Sequence, residues 1–373
     1  MHDGLEALLR AGALGDPRPL YPGAVLGLDV HSRRRTLATG VTRAYADASG
    51  TPLPASDQIP VTARTLYDLA SLTKLVTATV VMIMVDHRLL GLDDPVVRYL
   101  PDVAGGRDVV TVRHLLTHTA GLPSDTDAWR EQPDPAARRR AVLAEPLLDE
   151  PGRTYRYSCV GYLLLGLLVE RVAGPLDQVV QRDIAEPLGL ADLGYRPLDR
   201  GVNPDRIAAT ELRPGAAERR GVVHDENASS WGGVAGNAGL FGTADDLLGL
   251  GRVLLDLLAG RTSPLALTRE SARAMVTDQA PGTGAGFGVG LGWRIDDAAF
   301  LGSLAGRGRA YGHTGFTGTS LLVDEDRDLV AALLTNRVHP SRTWGELNPF
   351  RRVVADELAQ SYPVRRPGRS AGR

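Results

Sequence analysis

Lysine is almost absent from this chain. Of its 42 basic residues only Lys74 is a lysine. Cysteine is as scarce: Cys159 stands alone, so no disulfide can form within the chain, which fits a reducing compartment. Long apolar runs are missing too. The run Leu75 to Val85 spans 11 residues with two threonines, short of the roughly 20 that a membrane-crossing helix needs. Charge of one sign is also lacking. The formal net charge is −2, with 43% hydrophobic and 23% charged residues, so no nucleic-acid or membrane-surface partner is expected. The first residues carry Asp3 and Glu6 and no long apolar core before Pro17, unlike a secretory signal, and a cytoplasmic location is expected.

The lone lysine draws attention to Asp68-Leu-Ala-Ser71-Leu-Thr-Lys74. A surface cation can usually be either lysine or arginine. Only a buried lysine can lose its proton near neutral pH. The apolar run that follows reads as a helix buried on all sides, and residues three apart on a helix are neighbours. Ser71 and Lys74 would therefore face the same way, with Ser71 in the first turn, where the helix dipole favours developing negative charge. A serine hydroxyl becomes a nucleophile when a base takes its proton, and a desolvated amine can do so.

Along the chain, Leu5 to Leu9 suggests a short amphipathic helix. Ala24 to Val30 and Thr36 to Tyr45 read as a strand hairpin around a polar turn at His31 to Arg35. The Ser71 helix should end near Gly91, and Leu92-Asp-Asp-Pro95 should start a short helix. Helical patterns follow at Thr111 to His118, Tyr162 to Val172 and Leu176 to Glu186, and Pro197 to Gly242 reads mostly as loop. Thr243-Ala-Asp-Asp246 has the form of a capping box for a helix to about Leu258. Strands are then expected at Val289 to Ile295, Arg309 to Thr314, Thr319 to Asp324 and Leu329 to Thr335, with a final helix from Pro349 to Ser361. Strands at both ends and helices between predict an α+β fold. One antiparallel sheet would be built from both chain ends, with flanking helices and an inserted helical domain. The expected division is residues 1–65 with 283–363 for the sheet domain and 66–282 for the helical one. Residues 364–373, rich in Arg, Pro and Gly, would form a disordered tail.

Two further stretches complete a pattern with Ser71-Leu-Thr-Lys74: Tyr155-Arg-Tyr157-Ser-Cys159 and His313-Thr-Gly-Phe316. Here the chain resembles the superfamily of class C β-lactamases and D-alanyl-D-alanine carboxypeptidases, active-site-serine hydrolases that also include esterases and amidases. Its motifs are S-x-x-K, Y-x-N and K-T-G or H-T-G. The likeness covers roughly residues 20 to 360 and extends to Leu92-Asp-Asp-Pro95, His114 to Gly121, Leu163 to Gly166 and Gly233 to Asp245. It implies the β-lactamase/transpeptidase-like fold, with Ser71 as the nucleophile that forms an acyl-enzyme. Lys74 and Tyr157 would share the proton transfers. The backbone N–H groups of Ser71 and Phe316 would form the oxyanion hole. Cys159, His313, Thr314 and Gly315 would contact the substrate, and no cofactor or metal is implied.

Two departures from the motifs shape the expected activity. His313 replaces lysine and is a weaker anchor for a carboxylate. Cys159 replaces asparagine, whose amide offers both a donor and an acceptor; a thiol does neither well. Both point away from β-lactams and peptides and toward a small ester or amide, with esterase-like turnover. The alternatives are a β-lactamase or D-alanyl-D-alanine carboxypeptidase, an acyltransferase in biosynthesis, and a silent binding protein on the same scaffold. His114 and His118 have the spacing of a zinc pair, but Leu115 stands where H-E-x-x-H needs glutamate, so packed histidines are expected there. The polar His224-Asp-Glu-Asn227 stretch receives no role.

Overall fold

The computed structural model describes residues 3–15, 18–103, 108–213 and 220–364. The expected C-terminal tail lies, from residue 365 onward, outside the described residues. Helix α1 spans Asp3–Ala13. The hairpin is β1 (Gly23–Val30) and β2 (Arg33–Gly40), joined at His31-Ser32, where both residues have positive φ (51° and 62°). Such a two-residue turn matches the strand twist. Strand β2 starts earlier than its charge suggested: Arg33 to Arg35 belong to it because β2 is an edge strand with one face in solvent.

Two short strands, β3 (Tyr67–Asp68) and β4 (Gly194–Tyr195), flank β5 (Leu240–Gly242) in a small second sheet. The C-terminal strands are β6 (Gly288–Val289), β7 (Arg294–Ile295), β8 (Ala310–Thr314), β9 (Ser320–Asp324) and β10 (Leu329–Thr335). The main sheet runs β2-β1-β10-β9-β8-β7-β6, with every pair antiparallel. The N-terminal hairpin thus completes a sheet begun some 250 residues later in the chain. The single strand expected over 289–295 is broken in two. Leu291 N donates to Met275 O (3.0 Å) and Gly292 N to Leu116 O (3.2 Å), so the backbone there binds the helical part and not a neighbouring strand.

The other helices that matter here are α2 (Thr73–Asp86), α3 (Val112–Leu116), α4 (Cys159–Ala173), α5 (Ala244–Leu258) and α6 (Asn348–Ser361). Helix α2 is shorter than expected, and Leu92 to Pro95 starts only a 3-10 turn at Val96–Arg98. The 197–242 stretch carries more than loop: a 3-10 turn at Pro204–Arg206, a helical turn at Glu226–Ser230, and β5. Its hydrogen bonds go to distant segments, a pairing without local periodicity. The Thr243 capping box closes as expected, its side chain accepting from Asp246 N (3.3 Å).

Inside its β2 edge, the sheet buries both faces. Helices α1 and α6 cover one, over Leu5, Leu9, Leu26, Leu333 and Leu358. Helix α5 and the helical region cover the other, with Val25, Val323, Val330 and Leu334 in the larger core. Helix α5 lies close to the sheet because Gly251 faces Val330, where a Cβ would overlap the valine side chain. Among the described residues no single helix is long and apolar enough to cross a membrane.

Candidate active site

Ser71 lies in a 3-10 turn, Ala70–Leu72, that runs directly into α2, one step ahead of the α-helical turn expected for it. Ala70 before it has φ 47°, a left-handed conformation costly for a residue with a Cβ. The surroundings hold it there. Asp68 Oδ1 accepts from Ala70 N (2.9 Å), and Asp68 Oδ2 accepts from His224 N (2.6 Å). Thr317 Oγ1 donates to Asp68 O (2.7 Å) and Thr319 Oγ1 to Leu69 O (3.0 Å). The turn between β8 and β9 is thereby fastened to the segment before the nucleophile. Gly315 is required in that turn, since a Cβ would overlap Thr319 Oγ1 and lie 2.7 Å from Leu69 O.

Lys74 is fully buried, and its ammonium meets three acceptors: Asn237 O (2.9 Å), Ser71 Oγ (3.1 Å) and Cys159 Sγ (3.6 Å). Burial alone would pull its pKa down. The acidic groups around it, Cys159 first and then Tyr157 and Asp225, outweigh burial and hold the pKa above the ordinary lysine value. This direction favours the ammonium over the free amine that burial alone would give. Hydrogen bonds from all three N–H directions favour the charged form.

Tyr157 OH donates to Ser71 Oγ at 2.8 Å. Cations flank its ring: Lys74 Nζ at 5.1 Å and the Arg294 guanidinium at 5.5 Å from the centroid. Behind it stands His118, expected from the sequence as a packed histidine but not as a neighbour of Tyr157. Its ring packs 4.6 Å from Tyr157 and 5.0 Å from Tyr162, and its Nδ1 accepts from Ser158 N (3.1 Å). Burial first, then Lys74 and Arg294, push His118 well below the usual histidine pKa, so it is neutral. His114 is bound differently, its Nδ1 accepting from Thr111 N (3.2 Å) to cap α3. Among the described residues no cluster of three or more His, Cys, Asp or Glu could hold a metal.

The remaining expected residues divide. Thr314, Gly315, Phe316 and Cys159 line a cleft of about 380 Å³ together with Ser71 and Tyr157. His313 does not line it. That ring is 1% exposed, hydrogen-bonds Thr314 O through Nδ1 (2.8 Å) and packs 5.9 Å from Tyr157. Burial, then Arg294 and Lys74, drive its pKa well down, so it offers no cation to a substrate. Cys159 begins α4, and burial raises its thiol pKa against the pull of Lys74. Phe316 is 49% exposed at the cleft, held between His224 (ring centroids 5.6 Å apart) and the Arg337 guanidinium (4.7 Å). Among the described residues its backbone N–H has no hydrogen-bond partner.

Sequence reasoning did not find the arginines of the cleft. Arg351 on α6 is 8% exposed and donates to Gly315 O and Thr319 O (both 2.8 Å) and to Asn348 Oδ1 (2.8 Å), without a carboxylate partner among the described residues. Burial pulls it down to about 9. No local signal marks it among so many arginines. The polar His224 to Asn227 stretch also reaches the cleft. Glu226 there accepts from Arg342 (2.6 Å) and Arg213 (2.8 Å).

Known proteins share the family and the fold. The sequence model of the β-lactamase family ("Beta-lactamase") matches residues 22–356. A candidate D-alanyl-D-alanine carboxypeptidase of Escherichia coli K12 is 32% identical over 324 residues, covering 78% of this chain and 73% of the relative. Among solved structures, EstCE1, a hydrolase with promiscuous acyltransferase activity, superposes with a TM-score of 0.71 at 25% identity, over 95% of this chain and 97% of that one. A class C β-lactamase from Rhodobacter sphaeroides shares the fold, with a TM-score of 0.71 at 21% identity over 95% and 99% of the two chains.

Proposed function

This chain belongs to the β-lactamase family of serine hydrolases, and from that membership we propose that it cleaves small esters or amides through an acyl-enzyme on Ser71. The observation that carries the reading is the convergence on Ser71 Oγ of Tyr157 OH at 2.8 Å and Lys74 Nζ at 3.1 Å. Ser71 Oγ attacks the substrate carbonyl carbon. For this step Tyr157 acts as the phenolate, having given its own proton to solvent; its negative charge faces the Lys74 ammonium, and it takes the Ser71 proton to become the phenol. The carbonyl oxygen turns toward the backbone N–H groups of Ser71 and Phe316. When the bond to the leaving group breaks, Tyr157 returns the proton to the departing oxygen or nitrogen. Water then repeats the sequence on the ester, releasing the acid and restoring the Ser71 hydroxyl.

A second reading, peptide cleavage beside a terminal carboxylate, draws on the relative's name and on Arg351, a buried guanidinium at the cleft without a carboxylate partner among the described residues. Against it stands Cys159 at the asparagine position. Esters therefore remain the leading substrates.

The test is covalent labelling. Incubation with a fluorophosphonate should add one adduct, on Ser71, by intact mass and peptide mapping. Ser71→Ala should lose the adduct and at least a thousandfold in kcat/KM, about 4 kcal/mol of transition-state stabilisation. Retention of more activity than that would remove Ser71 from the nucleophile's role.

A further inference from the structure

Arg294 reaches Tyr157 through the break between β6 and β7. Gly292 N donates to Leu116 O (3.2 Å), the same carbonyl that accepts from Tyr162 OH (3.1 Å). Gly292 lies so close to α2 that a Cβ on it would stand 2.7 Å from that of Ala78. Two residues on, Arg294 lines the cleft, opposite Gly312 in the register of β7 and β8. Its guanidinium lies 5.5 Å from the Tyr157 ring centroid and 5.4 Å from that of Phe287. Its Nη1 donates to Asp297 Oδ2 (3.1 Å), and its Nε has no hydrogen-bond partner among the described residues. Two rings and one carboxylate thus hold this guanidinium against the tyrosine that carries the proton.

The other groups around the Tyr157 ring come from four elements. Lys74 on α2 is the second cation, 5.1 Å from the centroid. His118 after α3 and His313 on β8 pack 4.6 and 5.9 Å from the ring, and both are neutral. Burial raises Tyr155 to about 12 and Tyr162 on α4 well above the ordinary tyrosine value, so neither ionises near neutrality. Cys159, also on α4, lines the cleft with Tyr157, its thiol raised by burial. After burial, Arg294 is the strongest influence on His313, ahead of Lys74, and it stands next to Lys74 in its effect on His118. Its charge therefore reaches both histidines that flank Tyr157. A guanidinium keeps its proton at every working pH, so this charge is fixed. A cation within about 4–6 Å favours the ionised form of an acidic group. Asp297, buried beside Arg294, offsets part of that charge.

We propose that Arg294 is a positioning residue of the reaction: its fixed charge against the face of Tyr157 favours the phenolate that takes the Ser71 proton. This rests on the acyl-enzyme reading above and adds a second cation to Lys74. The balance of the step is unchanged. The proton passes from Ser71 Oγ to the Tyr157 oxygen as the Ser71 Oγ–carbonyl bond forms. It goes to the leaving group as the bond between that group and the carbonyl carbon breaks. Arg294 neither gives nor takes a proton. Its effect is felt where Tyr157 is mostly phenol, and it vanishes once a high pH has removed the phenol proton.

The experiment is the pH profile of kcat/KM for p-nitrophenyl acetate from pH 6 to 10, in wild type, Arg294→Gln, Arg294→Lys and Asp297→Asn. The wild-type value should rise with pH to a plateau. Arg294→Gln should move the midpoint of that rise up by about one pH unit, a loss of about tenfold below it, and keep the plateau. Arg294→Lys should recover most of the shift. Asp297→Asn should move the midpoint down, and asparagine keeps the Oδ1 that accepts from Ala299 N (3.1 Å). Loss at every pH with the midpoint unmoved is the mark of a merely structural arginine and overturns the proposal. So does a lysine variant no better than the glutamine one. Should thermal melts show Arg294→Gln unfolded, Asp297→Asn decides: a downward midpoint supports the proposal, and an unmoved or upward one overturns it. Fluorophosphonate labelling separates the two levels. An adduct on Ser71 with unmoved midpoints overturns this inference alone; no adduct overturns it together with the acyl-enzyme reading.

Discussion

Three hydrogen bonds and full burial make the Lys74 ammonium a fixed charge beside Ser71. If charge is what matters, Lys74→Arg should retain more turnover than Lys74→Met, although the bulkier guanidinium strains a packed site by about 1–3 kcal/mol. Equal loss in the two variants, measured as kcat with thermal melts alongside, would return the role to a removable proton. Cys159→Asn tests the neighbouring position. It restores an amide donor and acceptor worth about 1 kcal/mol, or roughly fivefold in rate. Acylation by N-acylated substrates should rise by that factor relative to simple esters. An unchanged ratio would place substrate choice elsewhere in the cleft.

Among the elements, the site depends on close approaches that bring backbone to side chain. Helix α4 meets the segment before β5 at Gly166 and Gly236, where a Cβ on Gly236 would overlap Tyr162 O. That segment supplies Asn237 O to Lys74, and Gly236 O accepts from Thr77 Oγ1 (2.8 Å). Gly236→Ala should therefore push the Asn237 carbonyl away from Lys74. The expected result is a stability loss of about 1–3 kcal/mol and a drop in kcat larger than the change in KM. Denaturant melts and steady-state kinetics check it, and wild-type kcat in a destabilised protein would show that the carbonyl does not tune the lysine. The turn between β8 and β9 is a second such element, held by Thr317 and Thr319 from one side and Arg351 from the other.

For the whole molecule, buried histidines link stability to pH. His118 and His313 are driven well below the ordinary histidine pKa, and His339 is lowered to about 4, each chiefly by burial. A depressed folded pKa means that the unfolded chain binds the proton first. Stability is therefore present above the unfolded value of about 6.5 and is lost as pH falls from there toward the folded value. Each histidine contributes a slope of about 1.4 kcal/mol per pH unit within that window. The Tm should fall between pH 6.5 and 4, and the fall should be shallower in His339→Gln. The imidazole accepts from Ala44 N and Tyr45 N (both 3.2 Å), so this variant also starts from a lower Tm. A Tm flat across the window would contradict the neutral, buried state of these rings. An ion cluster joins the two chain ends: Arg252 on α5 donates to Asp29 on β1 (2.6 Å) and also holds Asp328, just before β10.

The helix after Ser71, the capped helix after Thr243 and the strands of both ends follow from local periodicity and turn chemistry, which act over a few residues and are written in the chain itself. The motif residues Ser71, Lys74 and Tyr157 were legible for the same reason, since each sits in a short pattern of fixed spacing. Their neighbours were not. His118 reaches Tyr157, Asn237 reaches Lys74, and Arg351 reaches Gly315 across separations of 39, 163 and 36 residues, and no local pattern encodes such meetings. The protonation of Lys74 and the retreat of His313 from the cleft were likewise decided by the tertiary structure. A pKa depends on burial and on the charges packed around a group, and those exist only once the sheet and the helical region have closed over them.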